Sequence, residues 1–279
     1  MSPDVLVVGH IVKDITSDGW RLGGGAHYAA IQFRRLGMSV GVVTAYGPDI
    51  EHADVPGVEW HALRSLESTI FENVYTDGRR EQRVSGRAGS IGFDDLPPQW
   101  RDAPIVFLAP VLDEIDADLP AQIGGRETLV ALGAQGWLRR VVDGRVEPGH
   151  VEPTPAWLDG QLVFVSEEDV TEPEAVAQWQ DQVRLVILTR GRAGYTIWSG
   201  DGSTSHAGPL AFEVDPTGAG DVFAAAFVYR YARGAGAEEA GRFAHAAASL
   251  VVQAEAIEGI GDRAAIEAQM RREAAVGAG

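Results

Sequence analysis

The sequence predicts an α/β fold, a mainly parallel sheet with helices on both faces, and three observations carry that expectation. Short apolar runs that read as fully buried strands begin at 5–8 and return at 40–44, 105–109, 128–132, 162–165 and 184–189. Stretches of helical character stand between or after several of them, as at 26–36 and 222–231, and strand-then-helix alternation is what builds a parallel sheet. Gly9 and Gly37 punctuate two of the joints, and the joints in the middle of the chain are rich in proline.

The elements follow in order. The run Val5 to Val8 ends at Gly9, and the segment from His10 to Trp20 carries Asp14 in a partly alternating context. A glycine triplet, Gly23 to Gly25, then turns the chain into a helix over about 26–36, closed by Gly37 and followed by the strand at 40–44. This triplet is not a dinucleotide fingerprint: GGGAHYAA lacks the GxGxxG spacing, and no acidic residue ends the next strand. Three adjacent glycines instead let the backbone approach a polyhydroxylated ligand, and His27 is expected to face a helix side. Between Glu67 and Gly89 two alternating runs meet at Asp77-Gly78, a hairpin signal, with Arg83 and Arg87 at its base.

Beyond the strand at 105–109, a helix is expected from after Asp113 to Ile123, then the strand at 128–132 and the string GAQGWLRR. The strand at 162–165 runs into SEEDV, and the strand at 184–189 continues through a turn into another at about 195–198. A helix follows Asp221, a glycine-rich joint at 234–236 leads to the helix AEEAGRFAHAAASLVVQ, and an amphipathic helix at 262–270 comes last, with a frayed end expected after it.

Composition bounds the function. A chain of 279 residues with 45% hydrophobic content can bury a sizeable core. The opening MSPDVLVVGH lacks a basic region and a long apolar stretch, so neither a signal peptide nor a membrane span is expected. The absence of cysteine rules out disulfides and thiolate metal sites and fits the cytoplasm. A formal charge of −17 argues against nucleic acid as partner without forbidding a phosphate ligand. Lys13 is the sole lysine, so no P-loop is available.

The string DPTGAGD, residues 215–221, concentrates the chemistry. Pro216 stops a strand ladder, Gly218 and Gly220 let the backbone turn, and the helix after them leaves Thr217 to Asp221 among N–H groups without intrahelical partners. Such an end attracts anions. Asp221 there can take a proton from a hydroxyl while the amides of Ala219, Gly220 and Asp221 hold charge on a phosphoryl group; the alternative is a capping carboxylate beside glycines that turn a corner.

DPTGAGD resembles the signature of the ribokinase-like (PfkB) carbohydrate kinases, and the likeness extends over essentially the whole chain. It implies a three-layer ribokinase-like fold forming one kinase domain over 1–279, with a small β-sheet lid drawn from about 11–22 and 67–89. It implies an anion hole at Gly218, Ala219 and Gly220, Asp221 as general base, and Asp14, Gly24 and Gly25 as acceptor contacts. Gln135, Gly136 and Arg139 form a Q-G-x-x-R that is similar to a motif of archaeal and plant myo-inositol kinases, which adds Gln135 and Arg139 to the acceptor set. The strings VVGHIVKDI, GGGAHY and TIFE point the same way, while a surface role for Arg139 stays open.

On the donor side, the family's N-x-x-E is replaced by Ser166 and Asp169, which keep oxygen ligands and imply magnesium handled through water by Asp169. Its T-L-G-x-x-G is met as T-R-G-x-x-G, placing Thr189, Gly191 and Gly194 at nucleotide phosphates with Arg190 as an added partner. His245 and the small residues up to Ser249 stand where the family packs adenine. The resemblance thus implies ATP, Mg²⁺ and a monovalent cation near Asp215 and Thr217, with a small sugar or cyclitol as acceptor, in a monomer or homodimer. Two alternatives stay open: a nucleoside kinase stacking a base on Phe71, Tyr75 or Tyr28, and a catalytically silent sugar-binding or regulatory protein, which Ser166 and Arg190 keep alive.

Overall fold

The computed structural model describes residues 2–50, 55–76, 79–123, 127–208 and 213–277. Its strands are β1 (Val5–Val8), β2 (Val12–Thr16), β3 (Gly19–Gly23), β4 (Val40–Tyr46), β5 (Val58–Arg64), β6 (Ile70–Thr76), β7 (Arg79–Gly86), β8 (Ile105–Leu108), β9 (Leu129–Gly133), β10 (Arg140–Val142), β11 (Arg145–Glu147), β12 (Leu162–Ser166), β13 (Leu185–Thr189), β14 (Tyr195–Ser199) and β15 (Gly202–His206). Its helices are α1 (Gly25–Arg35), α2 (Leu119–Ile123), α3 (Gln135–Leu138), α4 (Ala219–Ala232), α5 (Ala237–Val251) and α6 (Arg263–Gly277).

A run such as β1 has no polar side and is stable only between two covered layers. It lies inside a nine-stranded sheet of order β15-β14-β13-β12-β9-β8-β1-β4-β5. From β13 to β5 every pairing is parallel, and β14 and β15 close one edge in antiparallel. Val5 and Val7 point into a core built with α1, α4, α5 and α6. Leu6 and Val8 point the other way, where Trp100, Trp157 and Trp179 fill the space.

Helical cover on that second face is short. The helix expected from after Asp113 is confined to α2, because Glu114 folds back: its buried carboxylate accepts the amides of His10, Val111 and Leu112 at 3.1, 2.9 and 2.7 Å, and Asp113 takes φ 53°. A carboxylate so engaged stabilises a tight loop where helical turns were expected. Segments Glu167–Asp169 and Pro173–Trp179 are 3-10 turns.

A second sheet of order β10-β11-β7-β6-β2-β3 is antiparallel except between β2 and β6. It contains both expected lid segments, 11–22 and 67–89, although the Asp77-Gly78 turn lies outside the described residues. The hairpin β10–β11 extends it, a pair of strands for which the sequence reading made no provision. Its turn is Asp143-Gly144, the same dipeptide signal, with φ of 50° and 76°. Val12, Phe71, Val111 and Leu112 form the apolar seam that seats this sheet on the larger one. The last helix runs past the expected 270, and residues 278–279 lie outside the described ones. Among the described residues no helix is long and apolar enough to cross a membrane.

Helix α4 is buried continuously from Val222 to Tyr229. Phe223 and Phe227 meet the edge of Phe164 on β12, with ring centroids 6.4 and 5.4 Å apart. These contacts fix the height of the helix start above the sheet. Phe227→Ala is expected to cost about 3–5 kcal/mol, read as a lower urea midpoint at unchanged slope.

Candidate active site

The turn before α4 is built by its own polar groups. The Thr217 amide donates to Asp215 Oδ1 at 3.0 Å and the Ala219 amide to the Pro216 carbonyl at 3.2 Å. Gly218 then takes φ 78°, ψ −1°, and a Cβ on it would fall 2.3 Å from Cδ1 of the buried Tyr28 ring, so conformation and space both demand glycine. The Ala219 amide, expected to serve an anion, is therefore committed within the turn. The amides of Gly220 and Asp221 start the helix without intrahelical partners, and the space beside Gly220 is open.

Asp221 lies in this first helical turn, at the floor of a cleft of about 660 Å³. Its Oδ1 comes so near Gly25 that a Cβ there would sit 2.6 Å away. Protein encloses the carboxyl while the cleft leaves it partly open to solvent. Burial pushes its pKa from 3.8 up to about 7; the Arg139 guanidinium opposes this, and the charges of Asp169 and Asp14 add to it.

The expected acceptor residues converge here. Asp14, Gly24, Gly25, Gln135 and Arg139 all line the cleft with Asp221. Arg139 is no surface residue: its Nε donates to Asp169 Oδ1 at 2.8 Å and its Nη1 to Gln82 Oε1 at 3.3 Å. Gln82 and its cross-strand partner Asn73 also line the cleft and were missed. The Asp77-Gly78 hairpin signal held the information, since a two-residue turn there pairs 76 with 79 and hence 73 with 82. Arg83 and Arg87 do not line the cleft. Arg83 alternates to the other face of β7 and pairs with Glu81 at 2.7 Å, and Arg87, beyond the strand, donates to the Asp113 carbonyl at 2.7 Å. His27 lies buried in α1 away from the cleft, and burial lowers its pKa to about 4, so it is neutral.

The other half of the cleft is lined by Ser166, Asp169, Thr189, Arg190, Gly191, Gly194, Gly218, Gly220, His245 and Ser249. Two of these have protein partners of their own. Arg190 lines the cleft while Nη2 is held by Glu174 and Nη1 by Thr196 Oγ1, each at 2.6 Å, so a phosphate would share its guanidinium with these neighbours. Asp169 is 2% exposed and is engaged by Arg139 and, through Oδ2, by the Ser166 amide at 3.2 Å, partners that the sequence did not show. Arg192, at the same turn, lines the cleft and pairs with Glu213 at 3.2 Å. Among the described residues no group of three or more His, Cys, Asp or Glu could hold a metal ion directly. Glu167 and Glu168 present exposed oxygen donors to this half of the cleft, which suits a magnesium ion carried by phosphates and water. The implied monovalent cation does not fit: Nη1 of Arg21 lies 2.7 Å from Asp215 Oδ2, and Nη2 donates to Thr217 Oγ1 at 3.0 Å.

Residues 160–258, which contain β12 to α5 and the turn before Asp221, match the model of the pfkB family carbohydrate kinases. The chain carries a PfkB-family carbohydrate kinase domain. It is a phosphotransferase of that family. The chain is 28% identical over 263 residues to a cytidine kinase of Thermococcus kodakarensis, covering 85% of this chain and 91% of that one. It is 37% identical over 199 residues to an inositol 3-kinase of Zea mays, covering 67% of this chain and 52% of that one. A pyrophosphate-dependent kinase of the ribokinase family superposes with a TM-score of 0.74 at 21% identity, over 95% of this chain and 99% of that one. Ribokinase of Arabidopsis thaliana, solved with ribose and ATP, gives 0.71 at 23% identity over 97% and 99%. These likenesses show the ribokinase-like fold for the PfkB-family chain.

The raised pKa of Asp221 has a stability consequence. Between 3.8, where the unfolded group ionises, and about 7, the folded kinase keeps a proton that the unfolded chain releases, so stability falls as pH rises across that window. Asp221→Asn is expected to melt above the parent at pH above about 7, the gap closing toward pH 4, in calorimetric scans at a series of pH values.

Proposed function

We propose that this kinase transfers the γ-phosphoryl group of ATP to one hydroxyl of a small polyhydroxylated ring, a sugar or a cyclitol, with Asp221 as general base. The observation that carries this reading is the polar lining that Asp14, Asn73, Gln82, Gln135 and Arg139 give to the cleft they share with Asp221. A ring bearing hydroxyls on every edge satisfies such a set, and a site built to hydrogen-bond hydroxyls rejects ligands that lack them.

A carboxyl that ionises near 7 is present as base and as acid at neutral pH, which suits proton transfer from an alcohol. As the acceptor oxygen bonds to phosphorus, its proton passes to the Asp221 carboxylate and the bond to the leaving phosphate oxygen breaks. The amides of Gly220 and Asp221, at the positive end of α4, meet the charge on the transferred group. Arg139, anchored by Asp169, presents a second positive charge from the acceptor side. Thr189, Gly191 and Gly194 would lie along the donor phosphates, with His245 and Ser249 beside the adenine. Magnesium held on this side, with Glu167 and Glu168 as the nearby oxygen donors, would supply charge neutralisation. The small sheet over the acceptor excludes water, the competing nucleophile.

A nucleoside kinase is the second reading, favoured by the likeness to the cytidine kinase over most of both chains. Two rings that a base would stack on, Phe71 and Tyr28, do line the cleft, but each is largely packed: Phe71 is 4% exposed in the seam with Val12 and Val111, and Tyr28 lies against Gly218. The side chain of Tyr75 falls outside the described residues. The polar lining of the acceptor side is what favours the polyol over the nucleoside.

ADP formation measured with myo-inositol, ribose, fructose, cytidine and adenosine separates the readings. Turnover with a polyol is expected; turnover with nucleosides alone transfers the assignment to the second reading, and acceptor-independent silence indicates a binding protein. With the accepted polyol, Asp221→Asn is expected to lower kcat by about 10²–10⁴. Asn73→Leu and Gln82→Leu are each expected to raise the acceptor KM about 3- to 10-fold while leaving the ATP KM unchanged, as steady-state kinetics in both substrates would show.

A further inference from the structure

Arg21 stands on β3, the edge strand of the small sheet, directly across from Asp14 on β2. Its guanidinium crosses to the turn that precedes α4, where Nη1 meets Asp215 Oδ2 at 2.7 Å and Nη2 donates to Thr217 Oγ1 at 3.0 Å. Asp215 is also held by the amides of Thr217 at 3.0 Å and Ala256 at 3.2 Å. One carboxylate thus gathers the turn, the loop after α5 and the small sheet, and one guanidinium supplies the countercharge. The buried Nε of Arg21 has no protein partner, so the contact runs through its two terminal nitrogens.

The oxygens of Asp215 and Thr217 are the donors that a monovalent cation would need at this place, and a guanidinium already lies against both. Thr217 is followed at once by Gly218 in its left-handed conformation and then by the amides of Gly220 and Asp221. A shift of the turn therefore moves the anion-binding amides and the base together. Displacement of reacting groups by about 1 Å costs on the order of 100-fold in rate. A chain-borne charge also differs from a dissolved ion in one respect: it ties the turn to the strand pair that bears Asp14. The ion pair is sheltered, with side-chain exposures of 30% and 14%, so salt screens it less than a surface pair.

We propose that Arg21 is a built-in cation, a positioning residue that holds the 215–218 turn in its working geometry and makes this kinase independent of potassium and sodium. The kinetic part of this inference rests on the kinase reading above; the thermal part does not.

The test uses the full chain, Arg21→Ala and Arg21→Lys in potassium, sodium or tetramethylammonium chloride at matched ionic strength, with melting temperature and initial rates read in each. The parent is expected to show the same Tm and the same kcat in all three salts. Arg21→Ala is expected to lose about 10- to 100-fold in kcat in tetramethylammonium, with a smaller change in acceptor KM, and to recover part of it with millimolar guanidinium or potassium. Its Tm is expected to rise with potassium where the parent's does not. Arg21→Lys keeps the charge but cannot bond Asp215 and Thr217 in the same fork, so it should keep most of the Tm and lose kcat. Potassium-specific activation or stabilisation of the parent overturns the inference, as does Arg21→Ala with full kcat in tetramethylammonium. Should Arg21→Ala fail to fold, the lysine variant and the parent's salt series still decide. If the parent turns over no acceptor, the kinase reading fails, while the salt dependence of Tm in parent and variants still tests Arg21.

Discussion

The approach of the Asp221 carboxylate to the backbone at Gly25 is the constraint on which this structure depends. Two helix starts, α1 and α4, converge on one point, and α1 has no room for a side chain where the Asp221 carboxylate of α4 meets it. Gly25 removes the obstacle on one side. On the other, Gly218 lets the Tyr28 ring lie flat against the turn, so that a residue of α1 supports the backbone leading into α4. The core beneath holds both helices against the sheet through Phe33, Phe107, Phe164, Phe223 and Phe227. Packing distant from the cleft thereby sets the position of the one carboxylate inside it.

Electrostatics follow from that enclosure. The chain carries a formal charge of −17, and acidic side chains outnumber arginines along the cleft, so an anionic phosphate there would have to be met by a few local groups. Amides at the start of α4 contribute partial charges that cannot titrate, and Arg139 contributes a full one, kept in place by Asp169. Asp169, the carboxylate that positions Arg139, raises the proton affinity of Asp221, and the charge of Asp14 adds to it. Arginine is the residue for these places. Its planar fork bonds two partners at once, as Arg139 does with Asp169 and Gln82 and Arg21 does with Asp215 and Thr217.

Much of this is legible in the sequence. Buried strands, the turn at Gly37 and the start of α4 are local matters of apolar runs and glycine, and the structure has them within a few residues of expectation. DPTGAGD placed Asp221 at a helix start, and Gly24, Gly25, Asp14, Gln135 and Arg139 do line one cleft with it. The loop at Glu114 was not legible, because the amide of His10 that its carboxylate accepts belongs to a residue 104 positions away. Arg190 and Asp169 carried residue types suited to phosphate and metal. Their partners, Glu174 and Arg139, became visible only when the chain was folded.

By itself, then, the sequence determined the layered α/β architecture, the β6–β7 pairing marked by Asp77-Gly78, and the presence of a carboxylate at a helix start, since each rests on neighbours within a few positions. Only the tertiary structure decided which charged groups remain available to a ligand. Arg21 and Thr217 lie 196 positions apart, Arg139 and Gln82 lie 57 apart, and no local pattern encodes such meetings. Ion pairs and hydrogen bonds across elements depend on ångström distances that arise from packing of the whole core, so the same side chain can serve a substrate or a neighbour with no change in its local sequence.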